Sequence, residues 1–399
     1  MTGHPPSFRC NGRNWMAADD LCPLSETNAI IRNAQSKRNW SFMTERVPND
    51  PADEAGALAA ASQPLCELCG SAGELRYPDL QDRHFDAPGT WTELQCPRCQ
   101  LIWLNPKPTA ADLPALYADY YTHGEPDERS VFVQAILCGV PAATQDYADM
   151  VSDPWVRRLG RAFSLFGPLR EMGMRGTMGL SRDAGISLLD FGCGDGAFLR
   201  HMRSLGWTVS GVEQDPRAAE VARQLIGQES IHTSIDDARA KAPDGYDVIT
   251  LSHVIEHLLD PIGTLQECAA ALRPGGKLVI TTPNTESRGH RYFQRNWLHL
   301  DPPRHITLYN PGTLTDLARR AGFKVERVET PASSSHFVYQ ASSQLELRGS
   351  LPGIRIENLS TMTLLESGLF WMWEYTLTRF GTKCGEELLL TAVRPVSDC

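Results

Sequence analysis

No stretch of the 399-residue chain approaches the roughly eighteen consecutive apolar residues that a membrane-spanning helix requires. The opening residues, Met1-Thr2-Gly3-His4-Pro5-Pro6, lack the basic-then-apolar pattern of a secretory signal. Positive charge is also scarce. Lys and Arg number 38 against 48 Asp and Glu, a net charge of −10, and an acidic chain is repelled by the phosphates of long duplex nucleic acid. Nor is the cysteine count even. Eleven cysteines, four of them in two Cys-x-x-Cys pairs, favour a reducing compartment and metal binding over a disulfide framework. Together these absences imply a cytoplasmic protein without a transmembrane segment, for which nucleic acid is a disfavoured partner.

Residues 1–60 lack sustained apolar periodicity and are rich in Asn, Asp, Ala, Pro and Ser. They are expected to be a disordered leader, or an extension upstream of a true start at Met43. Cys10 and Cys22 lie there without partner spacing and are expected to be unstructured thiols.

The paired cysteines come next. Cys66 and Cys69, then Cys96 and Cys99, supply four thiolates on two tight knuckles, enough for a closed tetrahedral zinc site with a structural role. A redox dithiol would need only one pair. Residues 62–105 therefore read as a small zinc-ribbon-like domain. The intervening residues are mixed in charge, with Arg76 and Arg83 among them, which suits a folding staple better than a grip on nucleic acid.

Beyond the ribbon, the most informative stretch is Leu188-Leu189-Asp190-Phe191-Gly192-Cys193-Gly194-Asp195-Gly196. An apolar strand runs into a turn with glycines at alternate positions, then into a helix whose Phe198, Leu199, Met202 and Leu205 share one face. The next strand, 208–213, ends in Glu213, where a doubly wound sheet places an acid for ribose hydroxyls. A dinucleotide turn reads Gly-x-Gly-x-x-Gly, whereas this one reads Gly-x-Gly-x-Gly with Asp190 and Asp195 at its edges. Two carboxylates would repel a pyrophosphate but suit a ligand carrying sulfonium and ammonium groups.

The remaining punctuation extends the same α/β, doubly wound pattern. Residues 246–251 read as a fourth strand, 272–284 as helix stop, turn and fifth strand, 323–330 as a sixth and 387–393 as a seventh. Asp215-Pro216, Asp260-Pro261 and Asn310-Pro311 each place a capping side chain before a proline at the first helical position. Gly227, Gly275 and Gly322 are expected to close the three helices. Residues 331–384 form an insertion whose structure the pattern leaves open.

At this point residues 181–330, with the last strand, resemble the class I S-adenosylmethionine-dependent methyltransferases, of the methyltransferase type 23-like kind with an N-terminal zinc ribbon. The resemblance implies a seven-stranded, Rossmann-like sheet over 181–399 whose last strand is antiparallel. It implies that Asp190, Gly192, Gly194 and Gly196 meet the methionine end of the cofactor, with Cys193 a small turn residue rather than a nucleophile. Glu213 would bind ribose, Gln214 would lie by adenine or ribose, and Asp236 or Asp237 would accept from the adenine amino group. Ser252 and His253 would wall the pocket.

Two segments flank that domain. In 101–125 a zinc ribbon followed by Tyr117, Tyr120 and Tyr121 resembles a bacterial methyltransferase subgroup linked to small-molecule or surface-polysaccharide pathways; the aromatics either flank a substrate or are core. Residues 106–180 are expected to be a helical linker or cap. Within it, 154–178 carries Arg157, Arg158, Arg161, Arg170 and Arg175 among apolar residues. Such a stretch makes peripheral contact with an anionic membrane or packs over the cofactor-site entrance, and Gly167-Pro168 at its middle favours packing.

The chemistry is expected after the fourth strand, at Ser252-His253-Val254-Ile255-Glu256-His257. His-x-x-Glu-His also matches a zinc peptidase pattern, but that pattern needs a long helix, and this segment stops at Asp260-Pro261. It resembles instead the acid-x-x-Glu-His stretch of ubiquinone-pathway O-methyltransferases and small-RNA terminal 2′-O-methyltransferases. There the Glu and His, with a later His, hold a divalent metal that orients substrate hydroxyls. The matching residues here are Glu256, His257 and His305. His253 stands where the acid would be, and a site with three imidazoles favours zinc, iron or nickel over magnesium. Without a metal, His305 (first) or His257 removes the acceptor proton, Arg304 holds an anionic substrate group, and Trp297 and His299 line the pocket. In the plainest reading Glu256 pairs locally and His253 only walls the pocket.

The expected function is methylation of a hydroxyl on a small molecule, sugar or glycan end. The alternatives are an RNA-terminal or N-directed methyltransferase, and a non-catalytic cofactor-binding or zinc-ribbon interaction protein.

Overall fold

The structure, a computed structural model, describes residues 62–116, 130–182 and 185–396. The expected leader at 1–60, with Cys10, Cys22 and Met43, lies outside the described residues, as do Tyr117, Tyr120 and Tyr121.

Two sheets organise the chain. The larger has seven strands: β4 (Ser187–Phe191), β5 (Thr208–Val212), β6 (Ile231–His232), β7 (Tyr246–Ser252), β8 (Leu272–Pro283), β10 (Lys324–Glu329) and β11 (Glu387–Val393). Their spatial order is β10-β11-β8-β7-β4-β5-β6. The central strands β4, β7 and β8 are nearly continuous apolar runs because helices cover both of their faces. β11 pairs antiparallel with both β8 and β10, as expected of the last strand. The order of strands reverses between β4 and β7. The ends of these two strands thus form the topological switch point at which doubly wound sheets bind ligands.

Helices follow the strands where the caps direct them. Asp215 Oδ1 accepts from Arg217 N (2.9 Å) at the start of Pro216–Ile226, and Asp260 Oδ1 from Gly263 N (2.9 Å) at the start of Pro261–Ala271. Asn310 and Thr313 form a reciprocal capping box at Pro311–Arg320. Gly227 and Gly322 follow two of these helices with positive φ. Gly275 does not close the third. That helix stops at Leu272, which is already extended, and Gly275 instead turns the chain within β8.

The smaller sheet is a meander of β1 (Glu74–Leu80), β2 (Trp91–Gln95) and β3 (Ile102–Leu104), completed by β9 (Thr307–Leu308) from far along the chain. Ile102 pairs with Leu308 and Trp103 with Thr307. Strand pairing therefore crosses the boundary at 105. Cys66, Leu68, Cys96, Leu101 and Trp103 share one core with Leu265, Tyr309 and Leu314 of the larger domain.

The arginine-rich stretch is two helices, α1 (Pro154–Ser164) and α2 (Gly167–Arg175), broken at Gly167-Pro168. Residues 331–384 carry another pair, α3 (Ser335–Arg348) and α4 (Thr361–Arg379), which pack on each other between β10 and β11. Among the described residues no helix is long and apolar enough to cross a membrane.

Candidate active site

The turn after β4 is shaped by its glycines. Gly192 has φ +75°, and a Cβ there would lie 2.6 Å from Val254 Cγ2, so the turn and the loop after β7 are in close contact. Gly194 N donates to Glu213 Oε2 (2.8 Å) and Asp215 N to Glu213 Oε1 (2.8 Å). These bonds fix the carboxylate at the end of β5 while leaving lone pairs on each oxygen for hydroxyl donors. Gln214 is exposed beside it. Asp190 is buried and accepts from Thr250 Oγ1 (2.7 Å); burial, and then the Glu213 charge, push its carboxyl up to about 7. Asp195 Oδ1 accepts from Ala197 N (2.9 Å) at the start of the following helix.

Cys193 sits where only a small side chain fits, because a Cβ on Gly211 would lie 2.5 Å from its Sγ. Burial raises its thiol pKa, which disfavours the thiolate that a nucleophile needs. Asp236 and Asp237 are both exposed in the first turn of the helix after β6. Asp237 accepts from Ser234 Oγ (2.8 Å) and Asp236 lies 3.2 Å from Arg239.

The loop after β7 brings three ligand-type residues together. One donor atom each from Glu256, His257 and His305 lie within 4.8 Å of one another. Ile306 N donates to Glu256 O (2.7 Å), which clamps the His305 segment to this loop. His257 Nδ1 lies 3.0 Å from the Arg304 carbonyl and His305 Nδ1 lies 2.7 Å from the His299 carbonyl. A carbonyl only accepts, so each Nδ1 carries the proton and each Nε2 keeps its lone pair. Metal-ligating histidines are oriented in the same way, by backbone acceptors on the opposite nitrogen. Burial, and then the neighbouring His305, hold the His257 pKa down at about 4.

His253 does not join this cluster. It has φ +53°, and its ring spans two carboxylates, with Nδ1 3.3 Å from Glu256 Oε1 and Nε2 3.2 Å from Glu387 Oε1. Burial works against its charge, but Glu256 and Glu387 outweigh burial and raise its pKa to about 9. Arg175 at the end of α2 then grips Glu387 with both Nε (3.1 Å) and Nη2 (2.8 Å). Two cations thus balance two anions. His253 as a third imidazole ligand is thereby corrected, and the candidate set is the expected Glu256, His257 and His305.

Arg304 is a second correction. It is fully buried, donates to both oxygens of Asp82 (2.7 and 2.8 Å) and to Asp301, and stacks over Phe85. Its guanidinium is saturated by two carboxylates and cannot receive a substrate anion. Its work is to join the ribbon to the loop that carries His305. Trp297 is buried with Nε1 donating to Glu386 Oε2 (2.9 Å), and His299 stacks between His253 and His305. Sequence reasoning missed Glu387 and Arg175. The available signal was the acidic pair Glu386-Glu387, placed directly before a run of buried apolar residues.

The four ribbon thiols converge as the spacing implies. Cys66 and Cys99 Sγ are 3.5 Å apart, Cys69 and Cys96 Sγ 3.3 Å, and all four lie within 4.8 Å of one another. A tetrahedron with metal–sulfur bonds of about 2.3 Å has edges of about 3.8 Å, so the donor set fits zinc.

With a doubly wound sheet, a glycine turn and an acid at the end of the second strand in place, the fold class is that of a class I methyltransferase. Residues 169–328 match the family model described as "Methyltransferase domain", and this part of the chain is similar to S-adenosylmethionine-dependent methyltransferases. The ubiquinone biosynthesis O-methyltransferase of Nitrosospira multiformis is 28% identical over 37% of this chain and 66% of its own length. That of Aromatoleum aromaticum is 29% identical over 46% and 82%. The chain thus spans just under two thirds of the first of these relatives. A solved methyltransferase from Mesorhizobium loti aligns over 56% of this chain and 98% of its own at 17% identity, with a TM-score of 0.36.

Proposed function

We propose that this chain is an S-adenosylmethionine-dependent methyltransferase that O-methylates a small molecule, a sugar or a glycan end in a reducing, cytoplasmic setting. The observation that carries this reading is the contact between the two loops at the sheet's switch point. The turn with Asp190, Gly192, Gly194 and Gly196, and Glu213 beyond it, suits the methionine and ribose ends of the cofactor. Gln214 and one of Asp236 and Asp237 lie on the adenine side, and Ser252 and His253 close the wall. Val254, which packs against that turn, stands two residues before Glu256 of the Glu256–His257–His305 cluster. The relatives' name supports a hydroxyl acceptor.

The sulfonium methyl is already activated, so the protein's task is in-line placement and removal of the acceptor proton. His305 Nε2 is the first candidate base and His257 Nε2 the second. The same three residues suit a borderline divalent metal, which when bound would lower the pKa of an acceptor hydroxyl. The four ribbon cysteines hold a structural zinc.

The test is release of S-adenosylhomocysteine from a panel of catechol, sugar and glycan-end acceptors. Turnover with any of them that falls by roughly 10²–10⁴-fold in His305→Ala, with S-adenosylmethionine affinity unchanged, fits a general base. Full turnover in His305→Ala removes that residue from the mechanism.

A further inference from the structure

The helix α4 turns much of its apolar surface outward. Its inward side holds Ser367, Phe370 and Glu374, all buried, while Met362, Leu365, Leu369 and Trp373 point outward at helical spacing. Leu369 is 71% exposed and Trp373 49%, and Phe380 at the helix end is 83% exposed. The corner between α1 and α2 lies beside the C-terminal half of α4. A Cβ on Gly167 would touch Tyr375 Oη, and Arg379 lies 3.6 Å from Glu171. The residue two before Gly167, Leu165, is 88% exposed. Several large apolar side chains exposed on one helix face mark a contact site.

We propose that α4 and the α1–α2 corner dock this protein on an anionic lipid surface. The occupant follows from charge and shape. Arg157, Arg158 and Arg161 are exposed on α1, which carries no acidic residue, and no ion pair joins them to a carboxylate among the described residues. Arg288 stacks on Trp373, its Cζ 3.7 Å from the ring centre, a cation-capped indole suited to the headgroup layer. The 19 residues of α4 make a rod of about 28 Å, but one carrying Glu366, Glu374 and Arg379, so it lies along a surface and does not span it. Anionic headgroups would neutralise the arginines of α1 and supply the complementary charge that α1 itself lacks.

The test is co-sedimentation of the full chain with phosphatidylcholine vesicles containing about 30% phosphatidylglycerol and with phosphatidylcholine alone, beside light scattering without vesicles. The expected result is a monomer that binds the anionic vesicles, with binding falling about tenfold in Leu369→Glu and in the triple variant Arg157→Glu/Arg158→Glu/Arg161→Glu. Circular dichroism melts of both variants must match the parent chain. If either fails to fold, the milder Phe380→Ser replaces it. Absence of anionic-vesicle binding, equal binding in the variants, or a dimer dispersed by Leu369→Glu would each overturn the proposal. These readouts do not depend on S-adenosylmethionine, so they stand apart from the methyltransferase reading.

Discussion

Asp190 links the site's electrostatics to a measurable proton. Burial keeps its carboxyl largely protonated at pH 6 in the free protein, with a pKa of about 7. A bound ammonium or sulfonium favours the carboxylate, so cofactor binding at pH 6 is expected to release protons and the affinity to rise between pH 6 and 8. Calorimetry in buffers of different ionisation enthalpy reads that release directly, and an equal heat in all buffers would contradict it. His253 carries the second residue-scale prediction. In the folded chain it keeps its proton to about pH 9, against 6.5 for an ordinary imidazole, so its stabilising contribution is complete below about pH 6.5 and fades as pH rises through 9. Its partner Glu256 is held down to about 2, so that contribution fades only in strong acid. The melting difference between the parent chain and His253→Gln should therefore be large at pH 6 and small at pH 10.

At the scale of elements, the joint between the two sheets is the least replaceable part of the architecture. β9 supplies the ribbon's fourth strand, and Arg304 bridges Asp82 and Asp301 a few residues before it. Arg304→Met leaves two buried carboxylates without a cation and is expected to cost about 3–5 kcal/mol. Urea denaturation measures this; a loss below about 1 kcal/mol would mean that the pair is dispensable. This joint is also where the sequence was hardest to read. The strand–turn–helix at 188–205 and the Asp-Pro and Asn-Pro helix starts are written in neighbouring residues, and local chemistry decides them. A two-residue strand has no periodicity to detect, and the partners of Arg304 and His253, Asp82 and Glu387, lie far away along the chain. The Glu256–His257–His305 set came from the resemblance of the Glu-His stretch to other methyltransferases, not from spacing in this chain. That His253 turns away from it was not readable, because its second carboxylate comes from the last strand.

Across the whole molecule, the ribbon, the sheet and the α3–α4 insertion converge on one edge. Tyr77 Oη lies 3.0 Å from His290 Nε2, and Glu386 just before β11 accepts from Gly289 N (2.8 Å) and Trp297. The ribbon thus belongs to the same frame as the sheet and the insertion, and a metal held by its four thiols should matter to stability. Purified protein is expected to hold about one zinc bound by the four thiolates. Its removal by a chelator should lower the melting temperature, because the thiols that it gathers sit in the core shared with Leu265 and Leu314. An unchanged melt after complete zinc loss would contradict the staple.

All of this rests on the cofactor. The most direct test is calorimetric titration of the full chain with S-adenosylmethionine and S-adenosylhomocysteine. Saturable binding of both at one site per chain is predicted, weakened by at least about tenfold in Glu213→Ala, which removes the residue proposed to accept from the ribose hydroxyls. No binding of either ligand to folded, zinc-loaded protein would contradict it.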